Sequence, residues 1–424
     1  MTEELLEQKP EVISYDRLYR LWEQSNWSAT DIDFSQDLQH WNDVFDEQQR
    51  EAALWNYAMF LVGEEAVART LSPVLDAAPD HAQKIFLTTQ IVDEARHHVF
   101  FDRFMREVAS KGKDTKSTLE SVDSYLTWGF RQVFGELDRV TDELRKKPHD
   151  RALLAQSLAL YHVIIEGTLA VPGQHFIQRY LKKLSLLPGF SEGINNVSRD
   201  EARHVAFGIK FLGDLIRSSS ECRAAAIEMW DRVLPWSAGV FIPPNFNRQY
   251  VECFDFTLID IFAFGTRSFI TKVKRLGIDP AEIQLLSRED PDESYEERAR
   301  RAWVLIESGV IGDDRREPRL KPEAYEIIFE GMARALNLEV ARTLEGPIEW
   351  NFTDADPWHI VVVDGHAEAK PGRAGRPAVT FTSSSSEWAK FAVGRTDPRW
   401  AVLSRKLKVK GWLKAKGRLP KLFG

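Results

Sequence analysis

One five-residue string occurs twice in this chain: Asp93-Glu94-Ala95-Arg96-His97 and Asp200-Glu201-Ala202-Arg203-His204. Both copies fall within helical pattern. A Glu and a His at i and i+3 project about 60° apart around a helix, so both reach one point inside a bundle. A carboxylate oxygen and an imidazole nitrogen are good ligands for iron or manganese. The flanking residues favour inward projection: Leu87, Gln90, Glu94, His97 and Phe101 share one stripe, and Val197, Glu201, His204, Gly208 and Phe211 share another. An ionised Glu in such a stripe carries a desolvation cost of several kcal/mol unless it meets a cation or another partner.

Two further helices offer a matching acid. Glu64 lies on a stripe with Tyr57, Phe60, Val67 and Leu71, and Glu166 sits in the apolar run 161–170. Glu64, Glu94 with His97, Glu166, and Glu201 with His204 then form the di-metal carboxylate set of a four-helix bundle, with one Glu from each of two helices and one Glu-x-x-His from each of two others. A lone Glu-x-x-His is most often a solvated helix face; two identical copies, each preceded by a helical acid in an apolar stripe, point to a dinuclear site. Glu65 is the neighbouring candidate for the first position, about 100° away around the helix, but Glu64 shares the more apolar stripe. Asp93 and Asp200 precede the histidines of their own helices by four residues and are expected to hold a histidine Nδ1–H, with Arg96 and Arg203 pairing to them. Surface ion pairs at i, i+3 are the plainer alternative.

The elements that must position these residues are helical. Residues 1–45 read as an irregular lead-in, with Trp22, Trp27 and Trp41 as anchors. Helical pattern then covers 46–75, with Pro73 expected to kink or end it, followed by 80–110, 119–145, 151–184, 190–218, 224–233 and 251–275. Almost nothing before residue 315 reads as a strand. The run 313–318 is charged, contains a proline and reads as a linker. After one helix over 323–343 come strand-like runs at 348–352, 359–363 and 378–382, then short helices at 388–393 and 400–407. The expected organisation is an all-α bundle over 1–316 and a smaller α+β domain over 322–424.

Composition narrows the function class. Lys plus Arg number 56 against 64 Asp plus Glu, a net charge of −8, unlike the basic footprint of a nucleic-acid binder. Two cysteines, Cys222 and Cys253, make neither a disulfide framework nor a Cys-rich zinc site. The acidic opening does not read as a signal peptide, and no uninterrupted apolar run reaches 18 residues, so a cytoplasmic location is the expectation. The last 24 residues hold eight Lys or Arg and no acid, most simply a solvated basic face, with peripheral contact to anionic lipid as the alternative.

At the six ligand candidates the sequence resembles the ferritin-like superfamily, and more narrowly the ligand-binding oxidases related to the ribonucleotide reductase small subunit. Two local matches carry the narrower likeness: Val62-Gly63-Glu64-Glu65-Ala66-Val67, and Tyr161 five residues before Glu166. Residues 31–35 add a likeness to that family's lead-in, and the whole resemblance spans roughly residues 15–290. It implies Glu64, Glu94, His97, Glu166, Glu201 and His204 as ligands to manganese and iron, or to two irons, with O2 as co-substrate. It also implies an ether cross-link between Val67 and Tyr161, whose simpler reading is core packing, and a long-chain fatty acid bound at the metals. A homodimer follows by analogy only. Residues 322–424 resemble a sterol-carrier-protein-type lipid-binding domain, through 348–352, 358–365, 388–398 and 407–411. The plain oxidases lack such an appendage, so their ligand and role do not transfer intact.

The leading expectation is an O2-activating dinuclear oxidase whose high-valent oxidant abstracts hydrogen from C–H bonds of a lipid-like ligand. A ribonucleotide reductase small subunit is the enzyme alternative, weakened by a folded domain where a docking tail is needed; an amine N-oxygenase is another. Outside catalysis stands a lipid-binding protein with a structural metal site. The ligand set encodes neither the substrate nor the electron donor.

Overall fold

The computed structural model describes residues 10–411, 417–418 and 421–422. The opening on which the signal-peptide expectation rests, residues 1–9, lies outside these, as do Lys414 and Lys416 of the basic tail. The chain divides into two compact units, 1–279 and 280–424.

The first unit is helical. Its lead-in is not irregular: α1 (Tyr15–Gln24) starts on the Ser14 side chain, which accepts from the Arg17 N–H, and α2 (Ser35–Asp43) follows. The long helices α3 (Glu47–Ala77) and α4 (His81–Glu107) each begin with a capping box, Asp46 with Gln49 and Asp80 with Gln83. Pro73 neither ends α3 nor divides it. It removes one backbone bond from a 31-residue helix, and buried Leu71, Pro73 and Val74 anchor the last turns. The stretch expected over 119–145 is broken, giving α5 (Thr115–Val122) and α6 (Trp128–Lys146), the second restarted by Thr127 as cap. Next come α7 (Arg151–Leu158), a π-helical segment (Ala159–Ala170) and α8 (Val171–Leu184) as one continuous rod. By length and composition this rod could cross a membrane, but 89% of its apolar window is buried in the protein, so its apolarity serves the core. Helices α9 (Pro188–Ser218), α10 (Ser220–Ser237), α11 (Gln249–Glu252) and α12 (Leu258–Arg275) complete the unit.

Proline and lysine together explain the π segment's stability. With i→i−5 bonding, Val171 N–H reaches the Glu166 carbonyl, and the next donor would be residue 172, serving Gly167. Pro172 has no N–H. The Gly167 carbonyl is taken instead from α12, by Lys272 Nζ at 2.7 Å and Ser268 Oγ at 2.8 Å. Gly167 must be glycine here, because a Cβ would lie 2.5 Å from Lys272 Cε. Gly208 on α9 likewise admits the His162 ring, which would be 2.1 Å from a Cβ.

In the second unit, α13 (Tyr295–Glu307) and α14 (Pro322–Arg334) are joined by an Arg301–Glu330 pair at 2.6 Å. The charged run 313–318, expected as a linker, is part of this unit, and the division falls at 279/280 rather than between 316 and 322. Arg316 donates to the Ile306 carbonyl at 2.7 Å, and Arg395 donates to Gly309 O and Arg316 O at 2.9 and 3.2 Å. After α15 (Leu338–Arg342) come β1 (Ile348–Phe352), β2 (Trp358–Val363), β3 (His366–Pro371), β4 (Val379–Ser383), α16 (Ser385–Ala392), α17 (Pro398–Leu403) and β5 (Lys408–Lys410). The sheet order is β3-β2-β1-β4-β5, with β1 and β4 parallel and the other pairs antiparallel. Strands β3 and β5 escape sequence reading because the first is largely exposed and polar and the second has three residues. Phe329 of α14 stacks on Trp358 and Trp388, with centroids at 4.9 and 4.7 Å, and closes an aromatic core over the sheet.

Burial lowers Lys272 to about 7. The unfolded chain, with lysine near its ordinary pKa of about 10.4, then binds more protons over that window. This residue should make stability rise with pH between about 7 and about 10. Thermal denaturation across that range should show the rise in the parent protein and its loss in Lys272→Met.

Candidate metal centre

Four segments of the first unit deliver the six residues to one point. Glu64 comes from α3, Glu94 and His97 from α4, Glu166 from the π segment, and Glu201 and His204 from α9. Their ligand atoms fall into two sets, each with all atoms within 4.8 Å: Glu64, Glu94, His97 and Glu201, and Glu94, Glu166, Glu201 and His204. Glu94 and Glu201 belong to both. The cluster thus divides into two overlapping sets, each with one Glu and one His of its own and two carboxylates in common. Glu65 lies outside, 3.5 Å from Arg69 on the surface.

The histidines present Nδ1 to this cluster. His97 Nδ1 meets Glu64, Glu201 and Glu94 oxygens at 3.4, 3.5 and 3.7 Å, and His204 Nδ1 meets Glu94, Glu166 and Glu201 oxygens at 3.2, 3.5 and 3.7 Å. Both Nδ1 atoms, with Glu166 Oε2 and Glu201 Oε2, are buried and lack a hydrogen-bond partner among the described residues. Buried polar atoms left so and aimed at one point are what a cation would satisfy.

The aspartates reach the histidines, but not as the helix spacing suggested. Each crosses to the other helix and to the other nitrogen: Asp93 Oδ2 lies 3.1 Å from His204 Nε2, and Asp200 Oδ2 lies 3.3 Å from His97 Nε2. With Nδ1 turned inward, Nε2 points across the bundle, where only the opposite helix's aspartate can meet it. Arg203, 2% exposed, clamps both acids, at 2.7 Å to Asp200 and 3.2 Å to Asp93. Arg96 adds a contact to Asp93 at 2.9 Å.

Sequence reasoning treated Trp22 and Trp27 only as anchors. The lead-in in fact donates Trp22 Nε1–H to Asp93 at 3.0 Å and Trp27 Nε1–H to Asp200 at 2.7 Å. Gln90, already on the inward stripe, is also part of the site. Its Nε2 donates to Glu166 at 2.8 Å and to the Tyr161 oxygen at 3.1 Å, while Tyr161 O–H donates to Glu94 at 2.7 Å.

Six buried carboxylates, Glu64, Glu94, Glu166, Glu201, Asp93 and Asp200, face two guanidiniums, Arg96 and Arg203. With neutral imidazoles the balance is four negative charges, which two divalent cations would cancel. Without them, protons compensate. Burial pushes Glu64 well above the usual carboxylate range, and burial with Glu201 pushes Glu166 up to about 8. Burial alone would lower His97 and His204, but Glu64 beside the first and Glu94 beside the second raise both well above their ordinary value. Burial also acts to raise Glu94, but His204 and His97 outweigh it and hold this carboxyl well below its ordinary value.

An apolar cavity opens on the cluster. It is lined by Glu64, Glu94, Glu166 and Glu201 on one side and by side chains including Phe60, Val67, Tyr161 and Phe241 elsewhere. Val67 and Tyr161 thus share its wall. The second unit holds a separate cavity of about 330 Å³ between α15 and the sheet, lined by Leu336, Ala341, Ile348, Ile360 and Val362 among others.

The sequence profile described as ribonucleotide reductase, small chain, matches residues 11–232, and that of the SCP-2 sterol transfer family matches residues 330–419. Among solved structures, a variant of an R2-like ligand-binding oxidase with an anaerobically reconstituted Mn/Fe cofactor is 24% identical, with TM-score 0.53, over 63% of this chain and 94% of that one. Another variant with an aerobically reconstituted Mn/Fe cofactor is 23% identical, with TM-score 0.56, over the same shares. The fold is therefore a ferritin-like bundle followed by a small SCP-2-type domain.

Two outcomes follow from this geometry. Glu64, Glu166, His97 and His204 all hold protons in the folded, metal-free protein more tightly than in the unfolded chain. Their stabilisation is complete below the unfolded carboxylate pKa and lost as pH rises through the folded values. The chelated protein's melting temperature should thus fall between about pH 5 and about pH 8, and metal should flatten that fall and release protons on binding. Asp93→Asn and Asp200→Asn should each weaken metal affinity about 10- to 100-fold in a metal titration, the first through His204 and the second through His97.

Proposed function

Because the chain belongs to the ribonucleotide reductase small-chain family, we propose that its first unit is an O2-activating dinuclear metal oxidase acting on a long-chain fatty acid or similar lipid-like ligand. Glu64 and His97 would hold one metal, Glu166 and His204 the other, with Glu94 and Glu201 shared. The solved relatives with Mn/Fe cofactors favour manganese with iron, and the same donors suit two irons. Such a pair, when bound, supplies reduction of O2 and the oxidising strength for hydrogen abstraction from a C–H bond. The observation that carries the reading is the direct opening of an apolar cavity onto four carboxylates of a buried ligand cluster.

The chain's own residues then have distinct tasks. The cavity wall excludes water and receives hydrocarbon. Gln90 holds Glu166 and the Tyr161 oxygen in register. Burial, with Glu166 and Glu94, raises Tyr161 well above the ordinary phenol value, so its proton stays on and points at Glu94. Val67 and Tyr161, on the same wall, are the pair proposed to join by an ether bond, losing one hydrogen from the valine Cβ and one from the phenol as O2 takes up the electrons.

The second unit is proposed to bind a ligand of the same lipid class in its own cavity. Exposed Trp400 (64%) and Leu403 (76%) stand beside Arg399, Arg405, Lys406, Lys408 and Lys410, a combination that supports contact with an anionic bilayer.

Metal-free protein given Mn(II) and Fe(II) without oxygen, then exposed to O2, should consume it with a visible absorption transient. Metal uptake with no O2 consumption would leave a lipid-binding protein with a structural metal site. A peptide mass map after the reaction should show two hydrogens lost across the Val67 and Tyr161 peptides, and no such loss in Tyr161→Phe. Full-length protein should co-sediment with phosphatidylglycerol-containing vesicles and not with phosphatidylcholine alone, and the double variant Trp400→Ala, Leu403→Ala should bind less.

A further inference from the structure

We infer that the ligand cavity continues into a second chamber, and that the junction recognises a hydroxyl carried partway along a lipid chain, through Asn56 assisted by Trp55. The inference rests on the proposed function, since it takes the cavity at the metal cluster as a lipid site.

The two chambers share Asn56 and Phe241 as wall residues. Both run along α3. Glu64, Phe60 and Asn56 face the first chamber, and Asn56, Trp55, Ala53 and Ala52 face the second. Eight residues separate Glu64 from Asn56, about 12 Å along a helix axis. A chain anchored at the metals therefore reaches Asn56 midway and passes on. Beyond it the wall is aromatic, including Phe176, Tyr180 and Phe254, and suits hydrocarbon.

Two polar atoms in this setting have no hydrogen-bond partner among the described residues: Asn56 Oδ1 and Trp55 Nε1, both shielded from solvent. The Trp55 residue is only 1% exposed. Its ring stands edge-on to Tyr250 at 5.8 Å. By contrast the Tyr180 hydroxyl is paired with that of Tyr57. Buried polar groups are ordinarily paired, so an acceptor and a donor left over on successive residues of one cavity wall describe the missing occupant. A hydroxyl supplies both complements: it donates to an amide oxygen and accepts from an indole N–H. A trapped water has the same valences and is the occupant that the test must separate from a ligand hydroxyl.

Metal-loaded full-length protein is titrated with octadecanoic acid and with a mid-chain monohydroxyoctadecanoic acid, reading binding by calorimetry and the metal-centre absorption. The hydroxy acid should bind about fivefold to tenfold more tightly, the worth of one good hydrogen bond. Asn56→Leu should abolish that preference while octadecanoic acid still binds, and Trp55→Phe, which keeps an aromatic ring and removes the N–H, should reduce it. Equal affinities in the parent protein, or a preference that survives both substitutions, would overturn the inference and leave water at the junction. If neither acid binds or perturbs the metal absorption, the lipid reading of the cavity itself fails, a result distinct from equal binding.

Discussion

Everything in the first unit answers to the cost of keeping six carboxylates in a dry helical bundle. An unpaired buried carboxylate is too expensive to persist, so each must find a proton, a cation or a hydrogen bond. The inward four find the histidines and, when loaded, metal. The outer two, Asp93 and Asp200, find Arg203, Arg96, the two tryptophan N–H groups and the far nitrogens of the histidines. The inner and outer layers are mutually dependent. The outer aspartates orient the imidazoles, and the imidazoles keep the inner oxygens from facing one another uncompensated.

The crossed pairing ties the bundle together mechanically. Each aspartate belongs to one repeat and orients the histidine of the other, so α4 and α9 cannot shift along each other without breaking both contacts. The lead-in is drawn into the same network, because Trp22 and Trp27 donate to the two acids from segments far away in sequence. A π segment supplies the remaining ligand. The turns there are wider than α-helical, and α12 covers the carbonyl that Pro172 cannot serve. Wide turns of this kind occur often at functional sites; here they carry both Glu166 and Tyr161, the residues nearest the proposed chemistry.

The apolar cavity adds a second consequence. Oxidising chemistry needs a site that excludes water and a substrate held beside the metals, and the wall proposed for this role contains almost no polar surface apart from the ligand candidates, Tyr161 and Asn56. The second unit holds a cavity of its own in a different architecture. Its aromatic stack of Phe329, Trp358 and Trp388 packs over a mixed sheet, with a cavity between α15 and the sheet.

Much of this was legible in the residues alone. The duplicated Asp-Glu-Ala-Arg-His string, with Glu64 and Glu166 in apolar stripes, specified the ligand set, because helical periodicity is local and a stripe declares its buried face. Strands β1, β2 and β4 were legible for the same reason, whereas β3 has too little apolar pattern and β5 too few residues to announce themselves. What sequence could not decide is everything that depends on distant segments meeting. Helix spacing put Asp93 with His97 and Asp200 with His204, but the interaxial geometry exchanged them. A linker reading of 313–318 followed from charge and proline, yet Arg316 and Arg395 fasten that run into the second unit. The sequence determined which residues face inward; only the tertiary structure decided which of them touch, because facing is set by 3.6 residues per turn and touching by how helices cross.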